Sequence, residues 1–257
     1  MSVEEGKAVV NWTEKLGELA KATAAAEVST GKFISFKSGQ MSYNDAPVPG
    51  NSMDCIVVGY IHERVYYDEP FNPNIVATPK CFAFGKPIPD GNVPPMVPHD
   101  DAESQQHEEC EGCPMDAWGS DPGGGRRKAC KEIRRLAVLP VDALKEPDKL
   151  LGYSEAYVRV PVMSVSKWAS YVHLVAANNT VPFAVITRMF LTPDARSQFK
   201  VNFELQAKIT DNDLLGSLYA KHELVQKNID FPYIKAGEQA APQPTAVRAA
   251  GKKSKVG

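Results

Sequence analysis

The chain has no run of about 18 uncharged apolar residues, so no membrane-spanning helix is expected. Its first residues, "MSVEEGKAVVNW", carry early glutamates and lack an apolar h-region, so no secretory signal is expected either. Neither sign of charge prevails. Lys and Arg number 29 against 31 Asp and Glu, a formal net charge of −2. That balance excludes a global field that would drive the chain onto nucleic acid, so any polyanion site must be a local segregation of positive charge. The sequence also has no H-E-x-x-H and no deaminase-type H-x-E…P-C-x-x-C pattern. The acidic "PHDD" at 98–101 could bind a hard metal, but it sits in a proline loop without a second carboxylate cluster. No enzymatic activity is expected. Cysteine is sparse, with five in 257 residues. Without a secretory signal they imply a reducing compartment, the cytoplasm, where clustered cysteines hold metal more often than they form disulfides.

Hydrophobic residues make up 43% and charged residues 23%, ample for the core of one large domain or of one domain with arms. The segment 3–28 reads as a helical arm with one apolar stripe, Val9, Trp12, Leu16 and Leu19. "GKFISFKSGQMSY" (31–43) alternates like a strand with a turn at Ser38-Gly39. "MDCIVVGYIHERVYY" (53–67) is the clearest strand. At period two, Cys55, Val57, Gly59, Ile61, Val65 and Tyr67 share a face interrupted by Glu63. Ile56, Val58, Tyr60, His62, Arg64 and Tyr66 share the other, which turns aromatic and cationic toward its end. Further strands are expected at "RRLAVLPV", "AYVRVPV", 183–191 and 199–209. Helices are expected at 164–178, capped by a serine, and at about 212–228, capped by Asp211. The polar tail 237–257 reads as disordered and basic. The fold class is therefore β-rich α+β: an arm at 1–30, a core over 31–236 with a loop-rich insertion at about 70–135, and the tail.

That insertion is the informative part. Prolines stand at 70, 73, 79, 87, 89, 94, 95 and 98. Residues 90–116 hold eight acidic residues and no Lys or Arg, whereas six of the ten residues 126–135 are basic. Between these arms lies "EECEGCPMDAWGSDPGGGRRKACKEIRRL". Cys110 and Cys113 have the spacing of a metal knuckle, and Cys81 and Cys130 complete a four-thiolate set of the kind that tetrahedral zinc takes. Neighbouring Arg127, Lys128 and Lys131 favour thiolates over thiols. His107, or less readily His99, could stand in for Cys81. The rival uses are a redox pair, which would open a helix after a strand, and reduced cysteines with no ligand. Cys55 reads as a small buried hydrophobe. The glycine run does not make a phosphate loop, because Gly125-Arg126 follows where Lys-Ser or Lys-Thr is needed.

"GKFISFKSGQMSY", "VYYDEPFNPN…TPKCFAFGKPIPD", "CEGCPMDAWGS" and "RRKACKEIRRLAVLP" occur in the order found in a group of tailed-phage proteins. Over roughly 31–205 the chain resembles the zinc-containing, OB-fold single-stranded-DNA-binding proteins of phage replication modules. The resemblance implies an OB-like barrel and a structural Zn²⁺. It also implies single-stranded DNA as partner, in replication or recombination, with phage replication proteins as further partners. One departure stands out. Many such proteins end in an acidic tail that recruits partners, whereas Lys252, Lys253 and Lys255 make this tail basic.

Sequence-independent single-strand binding needs a positive groove for phosphates and aromatic faces for bases. Arg126, Arg127, Lys128, Lys131, Arg134 and Arg135 could supply the first. Tyr60, Arg64 and Tyr66, with Trp118 or Phe82, could supply the second. Tyr66 and Tyr67 must point opposite ways, so Tyr66 is expected outward and Tyr67 packed. Charge runs are commonly solvated faces, and Trp118 could instead pack over the knuckle. The alternative function is a zinc-stabilised replication or transcription accessory factor acting through protein–protein contacts, for which the N-terminal stripe would be a suitable surface.

Overall fold

The computed structural model describes residues 15–16, 33–44, 46–69, 77–88 and 92–233. The expected helical arm (but for Lys15 and Leu16) and the basic tail therefore lie outside the described residues. The protein is strand-rich α+β and divides into two compact units. The first comprises residues 1–60 and 134–229, and the second 61–133 and 230–257.

Strands β1 (Phe33–Lys37), β2 (Gln40–Tyr43), β3 (Ala46–Pro47), β4 (Ser52–Tyr66), β6 (Lys131–Pro140), β7 (Ala156–Val160), β8 (Val185–Asp194) and β9 (Gln198–Lys208) follow the order β3-β2-β1-β7-β6-β4-β8-β9. The β1–β2 hairpin turns through Ser38 and Gly39, at φ 51 and 72, the double left-handed geometry that suits strand twist. β1 pairs with β7 in parallel, and β8 and β9 form a long antiparallel hairpin. Two helices pack on this framework, α1 (Val162–Ala177) and α2 (Asn212–Asn228).

The apolar run of β4 is explained by burial on both faces, since Cys55 to Gly59 are all buried. Gly59 has a specific reason to lack a side chain. A Cβ there would lie 2.8 Å from Val225 Cγ1 and 2.9 Å from Gln226 Oε1, so α2 can approach only over glycine. The core joins Val57, Leu136, Val158 and Val160 to Trp168, Tyr171 and Val175 of α1. The expected serine cap of α1 is corrected. The helix starts two residues earlier, after Pro161, with no side-chain cap. Ser164 lies inside it, buried, and accepts a bond from the Val201 N–H at 2.9 Å. α2 follows its sequence signal, with the Asp211 carboxylate accepting the Leu214 N–H at 2.8 Å.

In the second unit, residues 62–66 of β4 pair antiparallel with β5 (Cys81–Gly85), from His62↔Gly85 to Tyr66↔Cys81. Val65, Phe82 and Ile133 form its core, with Tyr67, Phe84 and Tyr233 against them. Glu63, the odd residue of the strand pattern, is fully buried and accepts a hydrogen bond from the Tyr233 hydroxyl. No helix among the described residues is long and apolar enough to cross a membrane.

Candidate metal centre and basic loop

Four of the five cysteines come together in the second unit. Cys81 opens β5 opposite Tyr66. Cys110 is fixed by its own N–H, which donates to Met96 O at 2.9 Å, and by Arg64, whose Nη1 donates to its carbonyl at 3.2 Å. Gly112 sits at φ 75, a left-handed conformation that turns the chain between Cys110 and Cys113 and that a side chain would strain. Cys113 leads a 3-10 turn, Pro114–Asp116, and its carbonyl accepts the Asp116 N–H at 2.9 Å. The Cys130 N–H closes the arrangement on Met115 O at 2.8 Å. All four cysteines line one cavity of ≈ 20 Å³, together with Arg64, Tyr66, His107 and Asp116. That is room for about one water-sized occupant. His99 is elsewhere, stacked on Phe82 with ring centroids 5.1 Å apart.

All four cysteines are free thiols. Burial pushes Cys130 up to about 12 and Cys110 up to about 11, with Arg64 opposing the rise in both, and burial raises Cys81 as well. Neighbouring cysteines add to the rise: Cys110 and Cys81 raise Cys130, Cys81 and Cys113 raise Cys110, and Cys113 raises Cys81, as expected of groups close to one another. As a donor set, four convergent thiols match tetrahedral zinc. Among the described residues no group of three or more His, Cys, Asp or Glu is already arranged to hold a metal ion. The cavity thus brings the right donors to one place without presenting a finished cage. Cys55 is wholly buried in the other unit, where burial pushes its thiol up to about 12.

Beside the cavity, Asp116 receives two cations at once, Arg64 at 2.9 Å and Lys128 at 2.9 Å. Five residues on, Asp121 receives Lys131 at 2.7 Å and Arg127 at 3.6 Å. The glycine run is the turn between these pairs. Gly124 and Gly125 take φ 78 and 76, and the Arg127 guanidinium donates to the carbonyls of Gly123 and Gly124. Trp118 is 73% exposed, and Lys128 Nζ stands 5.3 Å from its ring centroid. The tryptophan does not pack over the knuckle.

The structure sorts the residues expected at DNA. Trp118, Arg126 and Arg127 are exposed, and Lys128 and Lys131 partly so. Three expectations are corrected. Phe82 is 2% exposed in the core of the second unit. Arg135 is fully buried, donating to Ile229 O at 3.0 Å, and Arg134 is buried beside it in the chain. Polar strand ends that look solvated in sequence are here covered by packing. Tyr60 is half-buried, edge-on to Trp168 at 5.4 Å, and so serves the first unit's core. Arg64 turns inward to Asp116 and Cys110, a support for the cysteine site. Tyr66 lines the cysteine cavity, whereas Tyr67 packs on the core. Asp116 and Asp121 were not legible as site residues, since nothing local distinguishes them from the other acidic residues of the insertion. What the fold and site define is a strand-rich α+β protein with a four-cysteine cavity flanked by an ion-paired basic loop. No family model matches the sequence, and no curated protein or solved structure matches the chain.

Proposed function

We propose that this chain binds single-stranded DNA without sequence preference, in phage DNA replication or recombination, on an OB-like strand framework with a structural zinc ion. The observation that carries the reading is the convergence of Cys81, Cys110, Cys113 and Cys130 on one cavity whose wall residue Asp116 is ion-paired to the basic loop. Zinc held by these four residues would supply a redox-inert cross-link for a segment poor in core. Arg64 offsets the negative charge of the thiolates, and Met115 and Met96 carbonyls fix the backbone around them. The strand-rich α+β fold is compatible with an OB-like barrel. On the loop, Trp118 offers a free aromatic face for a base, and Arg126 and Arg127 offer guanidinium groups for phosphates.

The test is a salt titration of binding to a homopolymeric single strand. Affinity should fall steeply with salt, quench tryptophan fluorescence and vary little with base identity. Absence of any salt-sensitive affinity would sink the proposal. Tighter binding to duplex than to single strand would favour an accessory factor instead. Metal analysis of protein purified without a histidine tag should return about one zinc per chain, and less than about half an equivalent would count against the four-cysteine site.

A further inference from the structure

Most of the positive charge of the loop is already spoken for inside the protein. Lys131 and Arg127 meet Asp121, and Lys128 meets Asp116. Arg126 is exposed and has no carboxylate partner among the described residues. The carboxylates are well placed for this role. Asp121 has a side chain 15% exposed, and its Oδ1 is oriented by the Gly123 N–H at 2.8 Å, which leaves Oδ2 to face both cations. A carboxylate oxygen that accepts from Lys131 and lies beside the Arg127 guanidinium occupies the place a phosphate oxygen would take.

We propose that Asp121 and Asp116 are internal competitors for the DNA backbone and act as specificity-determining residues of the loop, selecting polynucleotides over isolated phosphates. The inference rests on the single-strand reading. A lone phosphate gains little by exchanging with a carboxylate already in place. A strand anchored at Arg126 presents its neighbouring phosphates at high effective concentration and can displace Asp121 and then Asp116. Displacement of Asp121 frees one carboxylate, which recruits one counterion, while its two cations together release two from the DNA. The two cations held by Asp121 together therefore add about 0.7, rather than about 1.4, to the salt slope of the wild-type protein, although both hold phosphates in the complex.

The experiment compares wild type, Asp121→Asn and Asp116→Asn on a homopolymeric oligonucleotide across a salt series, with inorganic phosphate as competitor. Asparagine keeps an oxygen for the Gly123 N–H while removing the charge. Single strands contribute about 0.7 to the salt slope per neutralised phosphate, so removing the carboxylate that would recruit a counterion should steepen the Asp121→Asn slope by about 0.7. Affinity at low salt should rise by about tenfold, and inorganic phosphate should compete with the variant but not with the wild type. A folded Asp121→Asn protein with wild-type affinity and slope overturns the proposal. Should that variant fail to fold, Lys131→Gln decides. Its slope should fall by about 0.7, because one phosphate contact is lost while the freed carboxylate still recruits its counterion, and an unchanged slope overturns the proposal. If neither wild type nor Asp121→Asn binds the oligonucleotide, the single-strand reading fails and this inference with it.

Discussion

The Arg64 guanidinium meets the Asp116 carboxylate at 2.9 Å on the wall of the cysteine cavity, and the same Arg64 Nη1 also bonds the Cys110 carbonyl at 3.2 Å. One cation thereby holds the knuckle and the start of the basic loop together. Replacing it with Gln should leave the four sulfurs in place but remove the cation that opposes the rise of the Cys110 and Cys130 thiols. If the cavity holds zinc as proposed, Arg64→Gln should lose it to a competing chelator about tenfold more readily, the usual scale for a residue that orients metal ligands. Equal zinc retention by variant and wild type would show that Arg64 has no such role.

Cysteine replacement separates the site from the core. Cys113→Ser should lower the zinc content well below one equivalent and reduce the melting temperature. Cys55→Ala lies in the other unit and should leave zinc content unchanged. Loss of metal in both variants would point to general unfolding rather than ligation.

Trp118 makes the opposite kind of prediction. It is largely exposed, so Trp118→Ala should leave thermal stability unchanged. Binding to single strands should weaken by about 1–3 kcal/mol, the range for one stacked base. A variant with intact affinity would remove Trp118 from the interface.

A buried ion pair in the first unit makes stability depend on pH. Lys221 is 3% exposed, and its Nζ meets Glu155 at 2.8 Å and the Tyr153 carbonyl at 2.7 Å. Burial acts to raise Glu155, but the bonds from Lys221 and Tyr157 outweigh it and hold the carboxyl below its ordinary value of 4.5. A carboxyl lowered on folding contributes stability that is complete above pH 4.5 and is lost as pH falls through the folded value. Glu155→Gln should therefore destabilise the protein at neutral pH by about 3 kcal/mol and flatten this part of the acid limb, as read by denaturant melts across pH.

Ser164 tests the revised start of α1. Its hydroxyl accepts the buried Val201 N–H, so Ser164→Ala leaves that donor unpaired and should cost about 1–3 kcal/mol. A solvent-facing cap would cost less when lost and would leave β9 untouched. Hydrogen exchange at the Val201 amide distinguishes the two.

Much of the strand framework was legible because local signals agree with one another. The Ser38-Gly39 turn, the long apolar β4, the alternating β9 and the Asp211 cap all appear where periodicity and turn chemistry put them. Ser164 misled because a serine near a helix start resembles a cap whether its hydroxyl meets its own helix or a neighbouring strand. Phe82 and Arg135 misled for a related reason: exposure is a property of what packs against a residue, and period two does not reveal which strand face is covered.

By itself the sequence determined the residue types available for chemistry: a C-x-x-C knuckle with two outlying cysteines, an acidic arm and a basic one. Only the tertiary structure decided that Cys81 and Cys130 join that knuckle at one cavity, because the pairing of Tyr66 with Cys81 and the backbone bond from Cys130 to Met115 bring distant segments together. It likewise decided which charges remain for a partner. Asp116 and Asp121 neutralise cations far enough along the chain that no local pattern signals the pairing, and Coulomb attraction acts on distance in space rather than in sequence.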